Sequence, residues 1–157
     1  MGMRIHHYKI KIEWTGNNGT GTSGYTAYSR SHQLSAENKT SPVQLSSDPH
    51  FRGDLAKYNP EELLVASLSS CHMLWYLHLC SDAGIIIQKY EDEPEGFMEE
   101  GGNLPGRFTK VILRPKVRIS SGDIEKAKSL HQDANEKCFI ANSVNFPMEH
   151  EAEIIYV

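Results

Sequence analysis

A stretch of nineteen residues, Leu63 to Ser81, contains no Asp, Glu, Lys or Arg, although 23% of the chain is charged. Asn59 precedes this stretch and is a good helix cap, and Pro60 suits the first helical position. Glu61 and Glu62 follow, where the helix dipole favours negative charge. The sequence therefore predicts one long helix that begins just after Asn59.

This predicted helix runs to about Asp82, and Gly84 is placed to end it in a left-handed conformation. Its apolar residues cannot all face one sheet, because they surround most of its circumference. They are Leu63, Leu64, Val65, Leu68, Met73, Leu74, Trp75, Tyr76, Leu77 and Leu79. One small domain can hardly cover such a helix, and we expect it to be deeply buried.

A transmembrane helix is the alternative interpretation, since about 18 uncharged apolar residues can span a bilayer. We reject it because six residues of the stretch are polar and no other segment offers them partners. These residues are Ser67, Ser69, Ser70, His72, His78 and Ser81.

The composition limits the class of protein. A chain of 157 residues supports a single domain over residues 1–157. A net charge of −4 with scattered basic residues gives no reason to expect nucleic acid or a membrane surface as partner. The first residues lack the apolar core of a secretory signal, so we expect a cytoplasmic protein. Three cysteines do not make a disulfide scaffold, and in a reducing compartment a disulfide would be transient and catalytic.

The sequence before the helix predicts β-strands. Tyr8 to Trp14 alternates polar and apolar residues, which predicts a strand with one buried face. Gly16 to Gly19 suits a tight turn, and we place the second strand of a hairpin at Tyr25 to Tyr28. A third strand is expected at Val43 to Leu45, followed by a loop from Asp48 to Asp54.

The chain after the helix alternates strands with one more helix. We expect strands at Ile85 to Tyr90, Val111 to Ile119 and Ala152 to Val157, and a hairpin or mobile loop at Glu91 to Gly106. Asp123 begins a second helix. One face of it carries Ile124, Ala127, His131, Ala134 and Cys138. Together these elements predict an α+β fold of antiparallel sheets, a long central helix with the first cysteine and a second helix with another.

Cys71 lies near the middle of the uncharged stretch. A helical cysteine usually behaves as a small hydrophobic residue, but Ser69, Ser70 and His72 make this neighbourhood polar. Cys138 lies sixty-seven residues downstream on a face that must pack, so it is a candidate resolving partner for an oxidised Cys71. Cys80 is a poorer partner, because nine residues of helix separate it from Cys71 by about 13 Å, and we assign it to the core.

These residues resemble the OsmC/Ohr family of thiol-dependent hydroperoxide reductases, in its OsmC-like branch. The resemblance rests on Asn59-Pro60-Glu61-Glu62-Leu63-Leu64, on Cys71 ten residues after Glu61, and on Cys138 followed by Asn142-Ser143, and it covers nearly the whole chain. It implies an intertwined homodimer in which the cysteine-bearing helices are buried between subunits.

The resemblance also implies roles for residues. Cys71 is the peroxidatic cysteine, whose sulfenate forms a disulfide with the resolving Cys138. Glu61 orients an arginine against the thiolate. We favour Arg52, in the loop before Asn59, for that arginine, and Arg30 is the alternative near the first hairpin. The implied activity is reduction of organic hydroperoxides to alcohols, without cofactor or metal, at the expense of an external thiol such as a dihydrolipoyl group or a small dithiol.

Helix geometry restricts how Glu61 acts. Ten residues of helix place it about 15 Å along the axis from its own Cys71. We therefore predict that Glu61 serves the cysteine of a partner subunit across an antiparallel helix pair.

Other patterns favour other functions only weakly. Gly19-x-Gly21-x-x-Gly24 matches a dinucleotide fingerprint, but the residues after it suit a strand instead of a helix. The eight histidines include no HExxH and the cysteines no CxxC, so we expect no metal site. His72 points about 100° away from Cys71 around the helix and is interpreted as a packing residue. The main rival to an enzyme is a dimer of the same fold that binds a small apolar ligand without catalysis.

Overall fold

The computed structural model describes residues 2–157. Its contacts divide the chain into two compact units, one up to Leu63 and one from Leu64 to Val157, which are described separately. The α+β class is confirmed, with two α-helices and three three-stranded sheets among the described residues. The single-domain assignment stays a prediction.

The first unit holds one antiparallel sheet of β1 (Lys11–Trp14), β2 (His32–Ser35) and β3 (Val43–Leu45). In its register Lys11 is opposite Ser35 and His32 is opposite Leu45. The third strand lies at the predicted residues. A single 3₁₀ turn, Pro49–Phe51, lies within the predicted loop and is capped by Asp48, whose carboxylate accepts from the His50 N–H.

Two expectations for this unit are wrong. The segment from Tyr25 to Tyr28 forms turns instead of the second strand, and the partner of β1 is β2. The face predicted to be buried, with Tyr8, Ile10, Ile12 and Trp14, is exposed. Tyr25 and Tyr28 instead lie against the Arg30 guanidinium. Its central carbon is 4.4 Å from the Tyr25 ring centre and 4.1 Å from the Tyr28 ring centre. A strand alternation signals a pleated chain, but it does not say which face is covered.

The long helix, α1 (Pro60–Asp82), has the predicted bounds. The Asn59 side chain accepts from the Glu62 N–H at 2.8 Å, and the Glu62 carboxylate accepts from the Asn59 N–H at 3.0 Å. This reciprocal capping box fixes the start of the helix. Gly84 follows its end with φ +70°, as expected for a left-handed helix terminus.

A single stripe of α1 is fully buried by its own chain. Leu68, His72, Tyr76 and Cys80 lie four residues apart and form that stripe, whereas Leu74 is 61% exposed. Only 22% of the most apolar 18-residue window is buried. By length and composition α1 could cross a membrane, but one such helix is weak support for a span, because core helices of soluble proteins share these properties. A single chain thus does not bury α1 on all sides.

The second unit has two mixed sheets. Their strands are β4 (Ile86–Asp92), β5 (Glu95–Gly101), β6 (Leu104–Leu113), β7 (Pro115–Ser121), β8 (Met148–His150) and β9 (Glu153–Tyr156). One sheet has the order β4-β7-β9 and the other β5-β6-β8. The pairs β4–β7 and β5–β6 are antiparallel, as the sequence predicted, whereas the short pairs β6–β8 and β7–β9 are parallel.

The strand predicted from Val111 to Ile119 is two strands in different sheets. β6 ends at Leu113 and β7 begins at Pro115, so the chain changes sheet at Arg114. The Arg114 N–H donates to the Asp92 carboxylate at 2.6 Å instead of to a neighbouring strand. The hairpin alternative for Glu91 to Gly106 is confirmed, since β5 and β6 pair as an antiparallel hairpin.

The second helix, α2 (Ile124–Lys137), begins after Asp123, whose carboxylate accepts from the Lys126 N–H at 2.5 Å. Cys138 is the first residue after its last turn, so it caps the helix instead of lying inside it. The predicted apolar face packs in the core. That core cluster contains Tyr76, Cys80, Ile85, Val117, Ile119, Ala127, Leu130, Ala134 and Ile154.

Candidate functional site

Two cysteine thiols of the second unit lie next to each other. The Cys71 thiol adjoins that of Cys138 and acts on its pKa, and both residues are unbridged. Cys71 is half-buried on α1, and Cys138 is fully buried at the end of α2. The geometry brings together the two cysteines that the sequence singled out.

The end of α2 gives Cys138 a defined environment. The Ala141 N–H donates to its sulfur at 3.4 Å, and the Cys138 carbonyl accepts from the Asn142 N–H at 3.0 Å. The chain after the cysteine therefore folds back in a turn, which is continued by the 3₁₀ segment Ala141–Ser143. This turn holds the sulfur against α1.

The pKa of Cys138 is raised to about 11, chiefly by burial; the Ala141 N–H opposes the rise and the neighbouring Cys71 thiol adds to it. At neutral pH this residue is a thiol and not a thiolate. Since the thiolate is the nucleophile of cysteine chemistry, Cys138 is poorly suited to attack a substrate first. The better exposed Cys71 is left as the candidate for that role.

Cys80 lies in the core, as the sequence predicted. It is fully buried on α1 beside Tyr76, and burial raises its pKa, opposed by a hydrogen bond with that tyrosine. A buried thiol of this kind is unreactive.

Three histidine rings of the second unit cluster together, and one of them, His72, is the sequence neighbour of Cys71. His72 and His131 are fully buried, and His72 Nε2 lies 3.0 Å from His131 Nδ1. The ring of His150, on β8, is centred 6.0 Å from that of His72 and 5.7 Å from that of His131. His72 packs as predicted, but its partner is another imidazole and not an apolar side chain.

The two arginine candidates belong to the first unit and differ in environment. Arg52 is exposed and follows the 3₁₀ turn with φ +65°. Arg30 is half-buried, and its Nη1 donates to the Tyr28 carbonyl at 2.7 Å. Its Nη2 is buried without a hydrogen-bond partner among residues 2–157.

Glu61 also carries a buried oxygen, Oε2, that finds no partner in the described part of the chain. Neither arginine forms an ion pair with it within residues 2–157. A buried carboxylate oxygen and a buried guanidinium nitrogen without partners are costly, so both call for a partner of opposite charge. The choice between Arg52 and Arg30 stays a prediction.

Apolar side chains follow Cys71 along α1. Met73 and Trp75 are half-buried on α1, and Phe51 belongs to the first unit, where it is 40% exposed. Phe139 packs edge-on against Trp75 with ring centres 5.5 Å apart, and sequence reasoning missed it. Its position directly after Cys138 was the available signal.

Among residues 2–157 no group of three or more His, Cys, Asp or Glu side chains is arranged to hold a metal ion.

A long helix that carries one cysteine, a second helix that ends at another, and strands on either side define the OsmC-like class of α+β proteins. The model of the family described as OsmC-like protein matches residues 52–153. The chain therefore belongs to the OsmC family, and the resemblance noted from the sequence is confirmed. No curated protein matches the chain.

Solved structures share this fold. An OsmC-like protein of unknown function from Vibrio cholerae is 30% identical, with a TM-score of 0.83 over 96% of this chain and 100% of that one. An organic hydroperoxide resistance protein from Legionella pneumophila is 14% identical, with a TM-score of 0.66 over 97% of this chain and 98% of that one. A further organic hydroperoxide resistance protein, from Elizabethkingia anophelis, is 17% identical, with a TM-score of 0.64 over 97% of this chain and 99% of that one. The last two likenesses concern the fold.

Proposed function

We propose that the protein is a thiol-dependent peroxidase that reduces organic hydroperoxides to alcohols. The observation that carries this proposal is the contact between the half-buried Cys71 thiol and the buried Cys138 thiol. The names of the hydroperoxide resistance proteins that share the fold are consistent with it.

In the first step the sulfur of Cys71 attacks the terminal oxygen of the hydroperoxide. An S–O bond forms, the O–O bond breaks, and the leaving alkoxide takes up the thiol proton to become the alcohol. Cys71 is oxidised to a sulfenic acid and the peroxide is reduced by two electrons.

In the second step the Cys138 sulfur attacks the sulfenic acid. The S–S bond forms and the hydroxyl leaves with the Cys138 proton as water. An external dithiol, such as a dihydrolipoyl group, then reduces the disulfide by exchange and is itself oxidised. We place this cycle in the cytoplasm, where such thiols are kept reduced.

Thiol acidity alone supplies little rate. An ordinary cysteine with pKa near 8.5 is only about 3% thiolate at pH 7. Lowering the pKa by about 3 units would raise that fraction about 30-fold, but weaker nucleophilicity would cost about 15- to 30-fold. The arginine that we assign to Arg52, oriented by Glu61, must therefore stabilise the alkoxide that develops as the O–O bond breaks.

The proposed active unit is a homodimer. The apolar surface of α1 that its own chain leaves uncovered, including the 61% exposed Leu74, is the support for this proposal. A second copy packed on α1 would bring the partner's Glu61 towards Cys71, as the helix length requires.

Stopped-flow consumption of cumene hydroperoxide with a dithiol reductant tests the function. Cys71→Ser should abolish consumption, and Cys138→Ser should leave one oxidation per subunit without turnover. Cys80→Ala is the matched control, because Cys80 lies on the same helix in the core, and it should turn over like the wild type. If wild-type protein consumes no hydroperoxide, the rival function of binding an apolar ligand gains support.

Substrate choice has its own measurement. The half-buried Trp75 and the Phe139 ring packed on it favour an apolar group beside the cysteines. We expect kcat/KM for cumene hydroperoxide to exceed that for hydrogen peroxide by at least about tenfold, and equal values would contradict the proposed substrate class.

A further inference from the structure

Two side-chain hydrogen bonds join α1 to α2. His72 Nε2 and His131 Nδ1 are 3.0 Å apart, and the Tyr76 hydroxyl donates to the Ala127 carbonyl at 3.1 Å. The second bond is four residues further along α1 and four residues back along α2. The helices therefore run antiparallel at this contact, and the histidine bond is the one nearer to Cys71 along α1.

The histidine bond is fully enclosed and its rings are aligned. The planes of His72 and His131 differ by 3°, and the Tyr76 ring is stacked on His131 with centres 3.8 Å apart. Both histidines are 0% exposed. This geometry leaves the imidazoles little freedom to rotate.

The buried histidine pair stabilises the core less than apolar side chains would. His72 Nδ1 and His131 Nε2 are buried without partners among the described residues, and each such atom destabilises the folded state. Apolar side chains of similar volume would avoid that cost. Apolar contacts, however, are not directional, so two helices can slide along each other without losing them. A hydrogen bond breaks when the helices slide.

The thiols depend on the same contact between helices. Cys71 is adjacent to His72 on α1, and Cys138 follows His131 by seven residues and caps the end of α2. A slip of one helix by one turn moves its residues by about 5.4 Å. A disulfide needs Cα atoms about 4.4–6.8 Å apart, so such a slip would separate the sulfurs.

We propose that the hydrogen bond between His72 and His131 positions Cys71 against Cys138 by fixing the register of the two helices. The histidines are positioning residues, since they touch neither substrate nor thiol in this role. The inference rests on the thiol pairing of the proposed function but not on any peroxide chemistry.

The test measures disulfide formation in glutathione buffers, in a Cys80→Ala background. Glutathione disulfide takes two electrons from the Cys71 and Cys138 thiols and leaves as two glutathione thiols, so no hydroperoxide takes part. The ratio of oxidised to reduced protein is read by mass spectrometry after acid quenching and alkylation.

The informative variants are His72→Met and His72→Gln, which have unbranched side chains of similar length. Only glutamine places a polar atom where Nε2 donates to or accepts from His131. His72→Met should shift the equilibrium about five- to tenfold towards the reduced form, which corresponds to the net value of one hydrogen bond. His72→Gln should restore it to within about threefold of the wild type.

Tyr76→Phe is the matched control, because it removes the other hydrogen bond between the helices. It should leave the thiol equilibrium within about twofold of the wild type. The inference is overturned if His72→Met pairs its thiols like the wild type, or if Tyr76→Phe or His72→Gln shifts the equilibrium as much as His72→Met.

A double variant, His72→Met with His131→Leu, separates positioning from stability. It removes both imidazoles, so its urea midpoint should equal or exceed that of the wild type while its disulfide stays disfavoured. A fully wild-type disulfide equilibrium in this variant would contradict the inference. A shift in glutathione buffers without any consumption of hydroperoxide by the wild type would instead refute the peroxidase proposal alone.

Discussion

The Ser69 hydroxyl donates a hydrogen bond of 2.5 Å to Oδ2 of Asp92, and this bond ties α1 to the last residue of β4. Oδ1 of the same carboxylate accepts from the Arg114 N–H at 2.6 Å, where the chain changes from one sheet to the other. One carboxylate thus connects the cysteine-bearing helix to both sheets of the second unit. Ser69 lies two residues before Cys71, so this connection anchors the turn that carries the thiol.

Replacing Ser69 by alanine should lower the free energy of unfolding by about 1.5–3 kcal/mol, the usual value of a hydrogen bond to a charged group. Urea denaturation followed by circular dichroism measures it. The exposed neighbour Ser70 is the control, and Ser70→Ala should change stability by less than about 0.5 kcal/mol. Equal losses in the two variants would mean that the Asp92 contact contributes nothing specific.

Gly53→Ala should disturb the loop that carries Arg52. A Cβ at Gly53 would lie 1.6 Å from the Ser47 carbonyl oxygen and 2.8 Å from that of Asp48, so backbone must move. We expect a loss of about 2 kcal/mol or more in the free energy of unfolding. At Gly24 a Cβ meets nothing within 4 Å, and Gly24→Ala should leave the melting temperature nearly unchanged. A well-folded Gly53→Ala protein with wild-type stability would contradict the close packing of Gly53 against the Ser47 and Asp48 carbonyl oxygens.

Acid should destabilise the protein through the buried histidines. Burial lowers the pKa of His72 to about 4 and that of His131 to about 3, with smaller contributions from neighbouring histidines including His150. The unfolded chain, with histidine pKa near 6.5, takes up these protons first. The free energy of unfolding is therefore highest above about pH 6.5 and decreases as the pH falls, by about 1.4 kcal/mol per pH unit for each ring. The decrease continues to about pH 4 for His72 and to about pH 3 for His131.

Urea midpoints at pH 7.5, 6.5, 5.5 and 4.5 would follow this loss. The double variant of His72 and His131 lacks both rings and should show a flatter profile over the same range. A wild-type profile as flat as that of the variant would contradict the neutral state of the pair.

The three thiols should differ in alkylation. At pH 8 a thiol with a pKa of about 11 is only about 0.1% thiolate, and burial raises the pKa of Cys138 to that value. Iodoacetamide should therefore modify Cys71 at least about tenfold faster than Cys138 or Cys80 in the reduced native protein. Peptide mass spectrometry over a time course measures the three rates, and labelling in urea should make them similar. Faster modification of Cys138 than of Cys71 in the native state would reverse the proposed roles.

Leu74→Asp should break the proposed homodimer. The substitution places a charge in the middle of the uncovered apolar surface of α1, where a second copy would have to bury it. Light scattering after size exclusion should give twice the chain mass for the wild type and the chain mass for the variant. Leu104→Asp, at the similarly exposed start of β6, is the control and should stay dimeric. Wild-type protein that elutes with the mass of one chain would refute the dimer.

Local chemistry made much of this fold predictable. The bounds of α1 follow from Asn59 and Gly84, and the start of α2 follows from Asp123, because a cap depends on a few neighbouring residues. The strand from Tyr25 to Tyr28 was predicted wrongly because those rings enclose the Arg30 guanidinium, which only a folded loop allows.

The site divides in the same way. The positions of Cys71 and Cys138 on packing faces could be predicted from helical periodicity, and so could the burial of His131. That His72 meets His131, and that Asp92 holds both Ser69 and the Arg114 N–H, depends on how distant elements pack. No periodicity carries that information, since both partners of each bond are far apart in sequence.

The single buried stripe of α1 has a consequence for how the molecule persists in dilute solution. If a second copy covers the rest of this helix, it acts as a ligand that binds the folded chain and not the unfolded one. Each tenfold dilution then removes about 1.4 kcal/mol of stability per dimer. Abundance would thus become part of what keeps the cysteine pair assembled, because a scarce protein would hold fewer of its long helices covered.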